Sequence, residues 1–85
     1  MKLDYSRDKM IIDFIKDNQE YFYRIAFRYV KNQDQALDIV QEAIVKALQK
    51  RYTLRNIEFL KTWFYRILVN ECFTTMKKSR KLLFL

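Results

Sequence analysis

Eighty-five residues make one small domain with a modest core, and the absence of both glycine and proline removes the ordinary turn residues of a β-rich fold. A hydrophobic content of 51% with 16% aromatics excludes a disordered chain, while one cysteine and no histidine exclude an intrachain disulfide and a thiol–imidazole metal cluster. The net charge of +7 is unevenly spread: residues 1–44 hold 7 basic and 8 acidic side chains, net −1, and residues 45–85 hold 10 basic and 2 acidic, net +8.

Apolar side chains at Ile11, Phe14, Ile15, Phe22, Ile25, Ala26 and Tyr29 repeat at the spacing of one helical face, which predicts a first helix over residues 8–30. Lys31-Asn32-Gln33-Asp34 interrupts that pattern. Asn32 caps a second helix, with Asp34 and Gln35 in its first turn, and this helix runs to about Lys50. Arg51-Tyr52-Thr53-Leu54-Arg55 is a loop by elimination. Asn56 caps a third helix, with Glu58 near its positive end, running to about Arg80. The expected fold is all-α, a compact bundle of three main helices forming a single domain over residues 1–85. Cys72 reads as a small buried apolar residue. Met1-Lys2-Leu3-Asp4 lacks the apolar stretch of a signal peptide, and charges interrupt every apolar run before about 18 residues, so the chain is expected in the cytoplasm.

The second helix has two faces. Ala36, Val40, Ala43, Ile44 and Ala47 form the side that packs, and Asp38, Gln41, Glu42, Val45 and Gln49 form a continuous stripe on a different side. One reading of that stripe is a solvated face with a Glu42–Lys46 i,i+4 pair. The other is a docking stripe for a basic helical partner, its carboxylates and amide placed to accept from Arg and Lys.

On the third helix Ile57, Leu60, Phe64, Ile67, Leu68 and Thr75 share a narrow sector and are expected in the core. Phe59, Trp63, Arg66, Asn70 and Lys77 lie on the opposite side. An aromatic–Arg–Asn–Lys stripe suits single-stranded nucleic acid: aromatics stack on bases, the amide reads a base edge and cations neutralise phosphate. Trp63 fits equally well as core filler beneath the first helix. Lys77, Lys78, Arg80 and Lys81 extend the positive field, although cations at a helix end also answer the helix dipole.

Two readings outside nucleic-acid binding stay open on these residues. A membrane-surface protein would use the third helix as a basic amphipathic anchor, but Arg66 and Asn70 interrupt its apolar stripe. A helical protein that binds only other proteins leaves the +8 half unexplained. No enzyme is indicated: there is no glycine-rich phosphate loop and no cysteine pair, and the carboxylates sit singly on helix faces. No metal or cofactor is expected.

The string Tyr29-Val30-Lys31-Asn32-Gln33-Asp34-Gln35-Ala36-Leu37-Asp38-Ile39-Val40-Gln41-Glu42 resembles the first part of region 2 of bacterial sigma factors. Trp63-Phe64-Tyr65-Arg66-Ile67-Leu68-Val69-Asn70, with the basic run after it, resembles the promoter-reading part of that region. The short helix–loop–helix between them is similar to the extracytoplasmic-function (ECF) group of the sigma-70 family, and the likeness covers about residues 14–81. The resemblance implies a protein that binds core RNA polymerase and recognises and melts the promoter −10 element to direct transcription initiation.

Asp38, Gln41 and Glu42 match the family's Asp-x-x-Gln-Glu, which implies contact with the coiled-coil clamp helices of the polymerase β′ subunit, and Val45 continues that stripe. Asn70 and the loop Tyr52–Asn56, with Tyr52, Arg55, Asn56 and Phe59, match the elements that hold an extruded non-template base, and Trp63 stands beside them. Lys61, Arg66, Lys77, Lys78 and Arg80 would then contact the flanking DNA backbone. The ECF group commonly has a membrane-bound anti-sigma factor, so a helical inhibitor covering these surfaces is the implied second partner; no small-molecule substrate is implied. A complete family member carries a second helical domain, region 4, for the −35 element, which is expected outside this chain. The loop follows the family only in part, and Lys81-Leu82-Leu83-Phe84-Leu85 is apolar where a polar linker is expected.

Overall fold

The apolar row that predicts one helix over residues 8–30 is carried by two. The structure is a computed structural model that describes the backbone of residues 5–83 and the side chains of residues 6–79. Within it α1 spans Tyr5–Asp17 and α2 spans Gln19–Val30. The break is at Asn18, whose side-chain amide donates to the Phe14 carbonyl at 2.8 Å while its own N–H turns to the Ile15 carbonyl at 3.3 Å. A short amide that takes the i−4 carbonyl competes with the helical ladder at that point. Neither helix loses its apolar side, since Ile11, Ile15, Phe22 and Ala26 are all buried.

Lys31 ends α2 in the left-handed region, with φ 55° and ψ 29°, and its N–H donates to the Phe27 carbonyl at 2.8 Å. Glycine is the usual residue for such a cap. The next residue starts another helix as expected: Asn32 is extended, its side chain accepts from the Gln35 N–H at 2.9 Å, and α3 runs Gln33–Gln49. Between α3 and α4 (Leu60–Leu83) lie two 3-10 turns, Arg51–Thr53 and Ile57–Phe59. Asn56 caps the second of these turns, accepting from the Glu58 N–H at 3.0 Å, and the chain passes from it straight into α4. Leu54, between the turns, is buried and pins the loop to the bundle.

Phe22 of α2 stacks on Phe64 of α4 with ring centroids 4.4 Å apart, and Phe14 of α1 meets the edge of Phe64 at 6.0 Å. Ile11, Ile39, Leu68 and Cys72 complete the fully enclosed centre. The expected packing face of α3 is in place, with Ala36, Val40, Ala43 and Ala47 buried and Ile44 half-buried. Small side chains there let α3 lie close to both α2 and α4. Because it packs on both, Ile39 is buried as well, one position outside the expected face. On α4 Leu60, Phe64 and Leu68 are buried, whereas Ile67 and Thr75 are only half-buried, as is Ile57, which lies on the 3-10 turn before the helix.

Candidate functional site

The expected stripe on α3 faces solvent: Asp38, Gln41, Glu42, Val45 and Gln49 are all exposed. All of these but Gln49 line one wall of an open groove of about 630 Å³ between α3 and α4, whose other wall is Glu71, Thr74, Thr75 and Lys78. The groove is crossed by an ion pair that no local spacing announces. Lys46 does not pair with Glu42 but with Glu71, Nζ to Oε2 at 2.5 Å, across 25 residues of sequence. Glu71 is the one buried charged residue among those described. Its hydrogen bond holds the Lys46 ammonium above the ordinary lysine range, against the opposing effect of desolvation. Glu42 and Asp38 make no ion pair among the described residues. Their carboxylates are therefore available to a partner's cations.

A second cavity, of about 420 Å³, lies between the loop and the start of α4 and shares no lining residue with the groove. Arg55, Asn56, Phe59, Trp63 and Arg66 surround it, with Thr53, Leu54 and Thr62. Two guanidinium groups and no carboxylate line it, beside two aromatic rings. Trp63 turns out to be neither core filler nor a free ring. It is half-buried against the core, and its indole N–H donates to the Thr53 hydroxyl at 2.9 Å, which fixes the loop against the helix. Phe59 is 61% exposed and open for stacking. Such a pocket suits a planar, hydrogen-bonding group attached to an anionic backbone.

The description "Sigma-70 region 2" matches residues 14–82 of the 85, nearly the whole chain. The chain belongs to this family. The sigma factor SigV of Bacillus subtilis (strain 168), an RNA polymerase sigma factor by name, is 48% identical over 82 residues. That alignment covers 96% of this chain and 49% of the relative, so the chain spans about half the length of the curated relative it matches. No solved structure matches it. Membership in the sigma-70 region 2 family does not favour the basic amphipathic membrane reading. No helix among the described residues is long and apolar enough to cross a membrane.

Within this sigma region 2 bundle, the expected DNA-contacting residues do not all share one surface. Arg55, Asn56, Phe59, Trp63 and Arg66 meet at the loop cavity. Tyr52 is 76% exposed on the first 3-10 turn, outside the cavity lining. Asn70 and Lys77 are exposed one and three turns further along the same stripe of α4. Lys61 points elsewhere: its ammonium lies over the Tyr65 ring at 5.8 Å, on the side where Tyr65 meets Tyr21 and Phe22 of α2. Lys78 lines the α3–α4 groove with Asp38 and Glu42. The side chains of Arg80 and Lys81, and the segments Met1–Asp4 and Phe84–Leu85, lie outside the described residues. Two residues of consequence escaped the sequence reading, Glu71 and Thr53. Their partners are 25 and 10 residues away, and neither lies on the stripe periodicity that organises α3 and α4.

Proposed function

We propose that this chain directs core RNA polymerase to promoters, as an ECF-type sigma region 2. Asp38, Gln41, Glu42 and Val45 dock on the coiled-coil clamp helices of the β′ subunit. The loop cavity receives an extruded base of the non-template strand at the −10 element, between Phe59 and the Asn56 amide, and Asn70 reads the strand one turn along. Arg55, Arg66 and Lys77 neutralise flanking phosphates. The polymerase supplies all chemistry, so the chain acts without catalysis of its own. It works in the cytoplasm, with a membrane-bound anti-sigma factor as the inhibitor that covers these surfaces.

The observation that carries this reading is the pair of disjoint sites, one with free carboxylates on α3 and one with guanidinium and aromatic groups at the loop. A protein that must grip another protein and a single strand at once needs two such surfaces. The test is capture of core RNA polymerase by the folded chain, compared with a variant in which Asp38, Gln41 and Glu42 are all alanine. The variant keeps its helical circular dichroism and loses affinity equivalent to about 2–5 kcal/mol, as for charged contacts cut at an interface. Equal capture by both proteins refutes the docking face.

A further inference from the structure

The groove between α3 and α4 carries a charge pattern that a purely basic partner does not match. Asp38 and Glu42 stand on its α3 wall, and Lys78 stands on its α4 wall beside Thr74 and Thr75; Lys46 and Glu71, one on each wall, are paired with each other, which leaves these three as the unpaired charges of the lining among the described residues. Lys78 is exposed and makes no ion pair among the described residues. One residue earlier, Lys77 is rotated by about 100° around the helix and falls on the stripe of Phe59, Arg66 and Asn70 instead. Two adjacent lysines thus face different surfaces. A cation entering the groove to meet Asp38 and Glu42 is repelled by Lys78 unless the same partner brings a negative group to it.

We propose that Lys78 belongs to the protein-docking surface and not to the strand-binding one. The occupant of the groove is a polymerase helix of mixed charge. Basic side chains run along its edge facing α3, and at least one carboxylate sits on its edge facing Lys78. This rests on the docking role of α3 proposed above and deepens it. Opposite charges on the two walls fix which way round the partner helix lies, since reversing it sets like charges against each other. Lys78 is then a residue of orientation and register at the interface, where the family resemblance implies a contact with the DNA backbone.

The test uses the full 85-residue chain, core RNA polymerase and a mixed-sequence single-stranded DNA, with circular dichroism to verify folding. Lys78→Glu, Lys77→Glu and Asp38→Ala are compared with the parent. Lys78→Glu lowers polymerase affinity about tenfold or more, and by a larger factor than Lys77→Glu does. The order reverses for the DNA strand, which Lys77→Glu weakens by the larger factor. If Lys78→Glu leaves polymerase affinity unchanged or tightens it while Asp38→Ala weakens it, α3 remains the docking helix and the inference about Lys78 is overturned. If neither Asp38→Ala nor Lys78→Glu alters polymerase binding, both the docking reading and this inference are overturned.

Discussion

Lys46 on α3 reaches across to Glu71 on α4 at 2.5 Å, and in doing so ties the residue after Val45 to the residue after Asn70. The side chain of Glu71 is 11% exposed and that of Lys46 is 37% exposed, so the two partners differ in what their loss leaves behind. Lys46→Met strands a buried carboxylate and costs about 1–3 kcal/mol. Glu71→Leu removes the buried charge and lets Lys46 turn to water, which is close to neutral or stabilising. Urea unfolding midpoints of the two variants check the order. Equal losses would mean that the pair acts through packing and not through charge.

Burial pushes the Cys72 thiol up to about 11, from an ordinary value near 9, with the Glu71 charge adding to the effect and a hydrogen bond at the backbone opposing it. A group whose folded pKa is raised contributes stability that is fully present below its unfolded pKa. That contribution is lost as pH rises from about 9 through about 11. Tyr65, raised to about 12 chiefly by burial, and Lys46, raised by its bond to Glu71, act in the same direction at still higher pH. The melting temperature therefore falls above about pH 9, and Cys72→Ala removes the earliest part of the fall. The folded thiol also resists alkylation at neutral pH, reacting only as fast as the bundle opens. A curve that is flat from pH 8 to 11 contradicts this account.

Phe64 is fully buried between Phe22 and Phe14. Phe64→Ala leaves a cavity in the centre and costs about 3–5 kcal/mol. In a domain of this size that lowers the melting temperature by on the order of 10 °C or more. A shift of a degree or two would mean that the centre closes around the gap.

Most of this bundle was legible because α-helices announce their faces. The alternation on α3 separates Ala36, Val40, Ala43 and Ala47 from Asp38, Gln41 and Glu42, and the structure keeps that division. Asn32 reads as a cap because only its short amide fits both the gap in the pattern and the free N–H groups beyond. The break at Asn18 was hidden, since the apolar row continues through it and neither glycine nor proline marks the place. Lys46 has a carboxylate one turn back at Glu42, and spacing favours that pair. The choice of Glu71 depends on how α4 crosses α3, which no local rule supplies. For the same reason Lys77 and Lys78, neighbours in a basic run, look like one cluster in the sequence although the helix sends them to different sides.

The loop cavity depends on Trp63 holding Thr53. Thr53→Val keeps the shape of the side chain and removes the hydroxyl, which accepts from Trp63 and donates to the Lys50 carbonyl at 2.7 Å, at a stability cost of about 0.5–1.5 kcal/mol for each bond lost. Trp63 is the only tryptophan in the chain, so its emission reports directly on the site. The variant shows a red-shifted spectrum as the indole gains water, and it binds a −10 single strand less tightly. An unchanged spectrum would show that packing alone fixes the ring.

The proposed roles of Asn70 in reading a base and of Lys77 in holding the backbone are separable by experiment. Asn70 is exposed, its backbone carbonyl accepts from the Thr74 hydroxyl at 3.0 Å, and its side-chain amide makes no hydrogen bond among the described residues. An amide that donates and accepts at once suits the edge of an unstacked base. Lys77, on the same stripe, is a point charge and carries no sequence information. Both variants are measured on polymerase-bound chain, with the preferred −10 strand selected from a random pool and a scrambled strand of equal length. Asn70→Ala weakens the preferred strand by much more than the scrambled one. Lys77→Ala weakens both alike and flattens the log–log salt dependence by about 0.7, the value for one lost single-strand phosphate contact. If Asn70→Ala weakens both strands equally, Asn70 shapes the helix surface without reading the base, and the reading falls to the residues of the loop cavity.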